Sequence, residues 1–505
     1  MTRDPIRRTS SPAASGRAVA YQSQPGAVSA TPISRHAALD ILAQVVGRFG
    51  NLVLGVAVTI ILVHTLGDRG FGAWATILTV SQLAGYLGEM GLEPAAVRRA
   101  AAEPAESARW LGALFLVRSV LTVPATLVAV VCVLAVSNSH EMAVAGTLIC
   151  LTVLVSAPTA LRAVFQLRTR NSVPVAVATV NSVLWTTGAA AFSAAGTGMV
   201  GLAALFLAVA VVSTALLAVL SLRAQRPRLR QGRRYARELL RVGIPLGVGG
   251  ILTLAYVRID QILVFVLAGR RDAGLYGAVY RVIDQAEFVP ISLTTTLLPL
   301  LSAAHPADPA RLRQLLQAAL DLLAVASLPA LTFASVAAEP TVRLLFGPDF
   351  ADAAPALPIL MGAYVLTCFG YLVGSMIVVL DLQVRLVAFS ALSLLFNVGM
   401  NLILIPPFGF LAAAWTTLAT QALIVALCAM PVLRRTGMRL NLRRVAGAGT
   451  AAVGMALLAK TAEAAGAPFS LVVTTAGATY VALLVVLRVV QGDHLRLFIR
   501  REATT

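Results

Sequence analysis

Unbroken apolar runs of about 18 to 25 residues recur from one end of this chain to the other, as in "LVLGVAVTIILVHTL" and "LFLAVAVVSTALLAVLSL". A helix rises about 1.5 Å per residue, so each run can cross a hydrocarbon layer of roughly 30 Å. A transmembrane β-barrel would need segments of about ten residues that alternate polar and apolar, and these runs do not alternate. A soluble fold would carry charge on about a quarter of its residues. Here only 12% of 505 residues are charged, 58% are hydrophobic and the mean hydropathy is +0.84. The sequence therefore predicts an all-α polytopic membrane protein with about fourteen spans, at 39–66, 72–93, 110–136, 142–165, 173–195, 199–222, 241–268, 274–302, 315–336, 356–380, 384–405, 409–433, 445–464 and 469–490.

The net charge of +18 is almost wholly arginine, with Lys460 the single lysine. A basic excess on a folded soluble module points to nucleic acid, but no such module is present, so no nucleic-acid partner is expected. Instead the arginines sort by side: 29 fall in one set of connections and four (Arg69, Arg270, Arg271, Arg343) in the alternate set. Basic residues stay cytoplasmic, which predicts a multi-pass protein of a cytoplasmic membrane with both termini inside. The two sets alternate without a lapse, which also checks the span count. The arginine-for-lysine bias suggests a bacterial source. Residues 1–36 are rich in Ser, Pro, Ala and Arg with no apolar stretch, and are expected to be a disordered cytoplasmic tail without a signal-peptide core.

A weak repeat divides the rest. "RHAALDILAQVVGRFG" resembles "RRYARELLRVGIPLGVGG", and the turn "LGDRGFGAW" resembles "AGRRDAGLYGAVY", which places Gly67 opposite Gly269. Both copies start on the same side, so they form parallel repeats about an axis along the membrane normal. The expected organisation is an N-lobe at 37–222, a basic linker at 223–240, a C-lobe at 241–436, two appended spans at 437–490 and a tail at 491–505.

Charges at bilayer depth are costly and face a cavity or a partner. Arg48 and Arg118 lie roughly 12 Å inside the arginine-rich boundary, with Glu89 near them, and suggest a water-filled basic cavity. Arg162 stands at that boundary and is expected to snorkel. Deeper, Arg258 and Asp284 each lie ten residues from the opposite end of their spans, at about 15 Å, near the midplane. Tyr280, Asp284 and Glu287 share one helix face, whereas Arg258 and Asp260 point to different faces. With Arg281, these groups form either a structural network or a site for an anionic group or for protons. Asn397 and Asn401 are expected to make interhelical hydrogen bonds, and Pro245, Pro290, Pro299 and Pro329 to kink their helices. Cys132, Cys150, Cys368 and Cys428 lie in apolar runs and read as small hydrophobes. No nucleotide loop, zinc motif or catalytic triad occurs, so neither a cofactor nor an enzyme is expected.

Several motifs then fall in order. A turn "LGDRGFGAW" precedes a span ending in Glu89, Gly91, Leu92 and Arg98. Asp260 precedes an apolar run and a Gly-x-Tyr at Gly274 and Tyr276. "LFGPDFADAAPALPIL" and "NVGMNLILIPPFGFLAAAWTT" follow. In this order the chain resembles the polysaccharide-export or oligosaccharide-flippase family, in the superfamily that also holds multidrug and toxin extruders. The family usually has aspartate where Glu89 stands. The resemblance implies two helical lobes around a cavity open to one side at a time, with the last two spans forming a lateral groove for a lipid tail. It also implies a substrate of sugars on a polyprenyl pyrophosphate, and guanidinium forks suit a pyrophosphate.

The expected substrate residues are Arg48, Glu89, Arg118 and Arg258. Asp260, Arg281, Asp284 and Glu287 form a coupling or structural network. Partners would be the lipid-linked oligosaccharide, membrane lipids, and glycosyltransferases or a polysaccharide polymerase. Two other readings remain. A cation-coupled drug or metabolite antiporter would use mainly acidic cavity residues. A nonenzymatic membrane scaffold would carry an added soluble domain.

Overall fold

The computed structural model describes residues 35–168 and 170–489; the terminal tails expected from the sequence lie largely outside them. The first half holds α1 (Arg35–Glu89), α2 (Leu92–Ala102), α3 (Ser107–Val136), α4 (His140–Val155), α5 (Ala163–Leu167), α6 (Ser172–Ala194) and α7 (Gly198–Ala224). The second holds α8 (Leu229–Ala268), α9 (Arg270–Ala286), α10 (Phe288–Ala304), α11 (Pro309–Val336), α12 (Ala338–Phe346), α13 (Ala356–Val379), α14 (Gln383–Phe408) and α15 (Phe410–Thr436). Two further helices follow, α16 (Arg443–Ala464) and α17 (Phe469–Val486). No strand occurs among the described residues.

Among the described residues, thirteen helical segments are long and apolar enough to cross a membrane, and the first of them contains two crossings. Within the 55 residues of α1, Gly67 leaves the helical region (φ 65°, ψ −176°) and reverses the chain. Its repeat mate Gly269 has the same extended, positive-φ backbone (φ 93°, ψ −178°) between α8 and α9, a conformation open to glycine at little cost. The fourteen spans of the sequence are therefore present.

The repeat is visible as a reciprocal contact. A Cβ on Gly72 would collide with the Arg270 carbonyl oxygen, and one on Gly274 with the Asp68 carbonyl oxygen. The repeat mates Gly72 and Gly274, like Asp68 and Arg270, stand 202 residues apart in sequence. The second crossing of α1 and α9 thus pack backbone to backbone around a local two-fold, at the arginine-poor end. Phe71 and Trp74 fill the core beside this crossing, Phe71 edge-on to Phe350 and Trp74 stacked on Trp185.

Two prolines direct the C-lobe. Pro290 has no N–H for the carbonyl of Ala286, four residues earlier. The helix breaks there, at Glu287 between α9 and α10, and the Tyr364 hydroxyl donates to the freed Ala286 oxygen at 3.0 Å. The sequence reads 274–302 as one span, so this break is a finding of the structure. In α11, Pro329 likewise frees the Val325 carbonyl, and the Tyr480 hydroxyl of α17 donates to it at 2.8 Å. The appended pair α16–α17 docks on α11 through this bond and an alanine-lined face (Ala448, Ala451, Ala452, Ala459).

The basic linker is also helical. From Leu229 it is the start of the 40-residue α8, which runs on through Pro245 into an apolar stretch from Gly247 to Ala268. Tyr235, Ala236, Leu239, Leu240 and Val242 pack on Leu92, Trp110 and Leu111 of the N-lobe. The Arg228 N–H donates to the Ala108 carbonyl at 2.8 Å, and Gly232 crosses the backbone of Gly112. One helix therefore begins on the first lobe and ends in the second.

Candidate functional site

Between α8 and α9, Arg258 Nη1 lies 2.9 Å from Asp284 Oδ1 and 3.0 Å from Oδ2. Arg281 Nη1 approaches the same carboxylate at 3.3 Å. The helical register accounts for this: Arg281 and Asp284 are three apart on α9, one ridge of the helix. The Arg258 guanidinium also lies over the Tyr280 ring, 5.4 Å from its centroid, and the Tyr280 hydroxyl donates to the Val257 carbonyl. Ala75 and Thr79 of the first lobe complete a cavity of about 20 Å³ with Arg258, Gln261, Tyr280, Arg281 and Asp284. That is room for about one water. Two guanidiniums thus share one carboxylate at the lobe interface, and Arg258 Nε is buried without an acceptor. Glu287 sits one turn away at the helix break, where the Tyr371 hydroxyl donates to it at 3.2 Å.

Asp260 is on the other face of α8, as its two-residue offset from Arg258 requires. It is 1% exposed and accepts from Thr417 Oγ1 (2.6 Å), Asn401 Nδ2 (2.7 Å) and the Tyr276 hydroxyl (3.2 Å). Asn401 also donates to Asn397 Oδ1 at 3.1 Å. The knot ties α8, α9, α14 and α15 together and explains the Gly-x-Tyr motif: Gly274 permits the lobe crossing, and Tyr276, two residues on, reaches Asp260. No cluster of three or more His, Cys, Asp or Glu occurs among the described residues. The oxygens of Asp260, Asn397, Asn401 and Thr417 are nonetheless an all-oxygen set of the kind hard cations favour, and Asn401 Oδ1 is buried without a donor.

The first-lobe cluster differs from the basic cavity expected of Arg48 and Arg118. Arg118 is 5% exposed and faces two carboxylates, Glu89 and Glu93, each at 3.8 Å. Arg162, expected only to snorkel and 41% exposed at its side chain, also reaches these acids. Its Nε donates to both oxygens of Glu93 at 2.8 and 2.9 Å, Gln166 adds a bond at 2.7 Å, and Nη2 lies 3.6 Å from Glu89. A buried guanidinium needs a counter-charge, and Glu93, unremarked in the sequence, supplies it. Its signal was the i, i+4 spacing from Glu89, hidden by the break at Met90 and Gly91, both of positive φ. Glu89, Glu93, Arg98 and Arg162 line a cavity of about 520 Å³. Arg48 joins none of this. It is exposed on α1, two turns from Gly55 on the same face, and Gly55 packs against Gln285 of the second lobe.

The two seams between the lobes are unequal. On one, Tyr86 and Met90 at the end of α1 lie against Gly250 and Gly247 of α8, and Arg99 pairs with Glu238 at 2.8 Å. On the other, the lobes touch at Gly55 and Gln285, while Val46, Arg48 and Phe49 toward the arginine-rich end stay exposed. At the arginine-poor end Arg271 bridges the lobes, to Asp68 at 3.0 Å and Asp352 at 2.6 Å. These two hydrogen-bonded carboxylates, Asp352 and then Asp68, push its pKa up.

A family profile described as polysaccharide biosynthesis protein matches residues 61–355. Among curated relatives, a probable flippase AglR of Haloferax volcanii is 26% identical over 184 residues, 35% of this chain and 38% of that protein's length. Among solved structures, lipid II flippase MurJ in an inward closed conformation superimposes with a TM-score of 0.72 at 12% identity, covering 92% of this chain and 100% of that one. An inward-facing multidrug resistance MATE family transporter of the MOP superfamily gives 0.62 at 15%, covering 77% and 94%. The profile covers more than half of the chain and the fold extends over nearly all of it, so this chain belongs to the polysaccharide biosynthesis protein family and has the fold of the MOP-superfamily transporters.

Proposed function

We propose that this protein moves a polyprenyl-pyrophosphate-linked oligosaccharide from the cytoplasmic to the outer leaflet, for assembly of a cell-surface polysaccharide. The observation that carries the reading is the interface between the lobes, where Arg258 and Arg281 share the single carboxylate of Asp284. A pyrophosphate leaving water needs planar, charged donors, and guanidinium groups supply them. Arg48, exposed on the open seam, is suited to meet the headgroup first, and the two lobes then exchange which side is open. Asp260 with its oxygen-rich neighbours would carry the coupling cation or proton. Arg118 and Glu89 support the first lobe from within and contribute through it. The arginine asymmetry argues for both termini in the cytoplasm of a bacterial cell; glycosyltransferases would supply the substrate and a polymerase would consume it.

The MATE-like fold favours a second reading, a cation-coupled antiporter of small organic cations. Proteoliposomes decide between them. Movement of a fluorescent lipid-linked oligosaccharide, reduced by Arg258→Ala and less by Arg258→Lys, supports the first. Efflux of a cationic drug with no lipid movement, indifferent to Arg258, overturns it in favour of the second.

A further inference from the structure

The start of α8 has two faces. Tyr235, Ala236, Leu239 and Val242 face the first lobe, so by helical phase Arg230, Arg233, Arg234, Arg237 and Arg241 (i, i+3, i+4, i+7, i+11) form one stripe on the opposite side. All five are exposed, as are Arg223, Arg226 and Arg228 just before them. Glu238 is the one acidic residue of the segment 223–241, and it is taken by Arg99. A run of eight exposed arginines is ordinarily just a solvated face. Here the stripe is also held rigidly, by Arg228 on Ala108, Gly232 on Gly112, and Trp110 edge-on to Tyr235 at 4.8 Å.

Its place relative to the bilayer selects the partner. Only residues 225–228 join α7 to α8, so at about 3.4 Å per step α8 starts within roughly 17 Å of the end of a membrane span. It then returns into the apolar stretch that begins at Gly247. The stripe therefore lies within about a headgroup layer plus one Debye length of the leaflet surface. Its only aromatic, Tyr235, is turned inward, which leaves no platform for stacking a base. We infer that the exposed arginine face of α8 is a docking surface for the headgroups of anionic phospholipids. Because the same helix ends in the second lobe, lipid bound there braces the closed seam. This inference is independent of what the protein transports.

Native mass spectrometry of the full-length protein released from zwitterionic detergent, with added phosphatidylglycerol or phosphatidylcholine, tests it. Phosphatidylglycerol is expected to be retained in preference. The substitution of Arg230, Arg233, Arg234 and Arg237 by Gln should weaken that retention at least tenfold, since each basic residue near an anionic surface contributes about fivefold. The Arg→Lys counterpart should keep it, and this charge-preserving set also separates lost binding from lost folding. Equal retention by the Gln variant overturns the inference. So does linker-dependent binding of a poly-glutamate probe with no preference for phosphatidylglycerol, which would make the surface a site for an acidic protein.

Discussion

The Arg258–Asp284–Arg281 cluster predicts an unequal response to deleting its members. Asp284 faces Arg258 at 2.9 Å and Arg281 at 3.3 Å, and its side chain is 11% exposed. Arg258→Ala leaves the carboxylate with Arg281 as a partner, so the cost is that of a charge-assisted hydrogen bond, about 1.5–3 kcal/mol. Asp284→Ala leaves two guanidiniums facing each other with no acid between them. That is the uncompensated buried charge for which about 3–5 kcal/mol is typical. In the double variant only Arg281 remains, free to turn toward water, so its cost should fall below the sum of the singles by at least about 1 kcal/mol. Titration with a denaturing detergent in mixed micelles, followed by tryptophan fluorescence, gives the three values. If Arg258→Ala costs as much as Asp284→Ala, or the double variant is additive within about 0.5 kcal/mol, the shared carboxylate does not hold this interface.

Three further outcomes are expected. Tyr480→Phe should loosen α16–α17 by about 1–2 kcal/mol, because the Val325 carbonyl freed by Pro329 loses its donor; adding Pro329→Ala restores the backbone donor and should recover the loss, read as thermal stability and protease resistance of 437–489. Arg271→Ala removes the bridge from Asp68 to Asp352, and at the value of exposed ion pairs should speed labelling of a Phe71→Cys variant about twofold to tenfold; an unchanged rate would mean the glycine crossing alone closes that end. Cysteines placed in 223–237 and 434–444 should be shielded from an impermeant thiol reagent in intact cells while those at 138–140 and 270–272 react, and labelling of the first set from outside would reverse the orientation.

The spans and the repeat were legible in the sequence because both rest on simple physics. Run length must match bilayer thickness, and Gly67 and Gly269 must supply the same positive-φ reversal. The pairing of Arg258 with Asp284 was legible too, since equal distances from one end of antiparallel neighbours place residues side by side. Partners across a break were not. Glu93 follows a turn at Met90 and Gly91, and its contacts, Arg162 and Gln166, lie about 70 residues away. The break at Glu287 was hidden for another reason: Pro290 signalled it, but whether a freed carbonyl bends a helix or breaks it depends on the donor that reaches it, here Tyr364. Nor does hydropathy show that α8 begins on the first lobe, because its charged first turns read as a linker.

Depth and counter-charge give different answers to which arginines are free to meet an anion. Depth alone ranks Arg118 with Arg48, and it ranks Arg162 as a boundary residue. Counter-charge reorders them. Arg118 and Arg162 share Glu89 and Glu93, two cations to two carboxylates, with the best geometry spent on Glu93. Displacing those acids with a phosphate would strand a buried carboxylate, so the cluster favours holding the first lobe together. Arg258 and Arg281 share one carboxylate, and an arriving anion adds acceptors there without stranding an acid. Arg48 has no acidic partner among the described residues. The repeat is symmetric in its backbone, at Gly72 and Gly274, but not in its charge: Arg118 and Arg162 face two carboxylates in the first lobe, whereas Arg258 and Arg281 share one in the second.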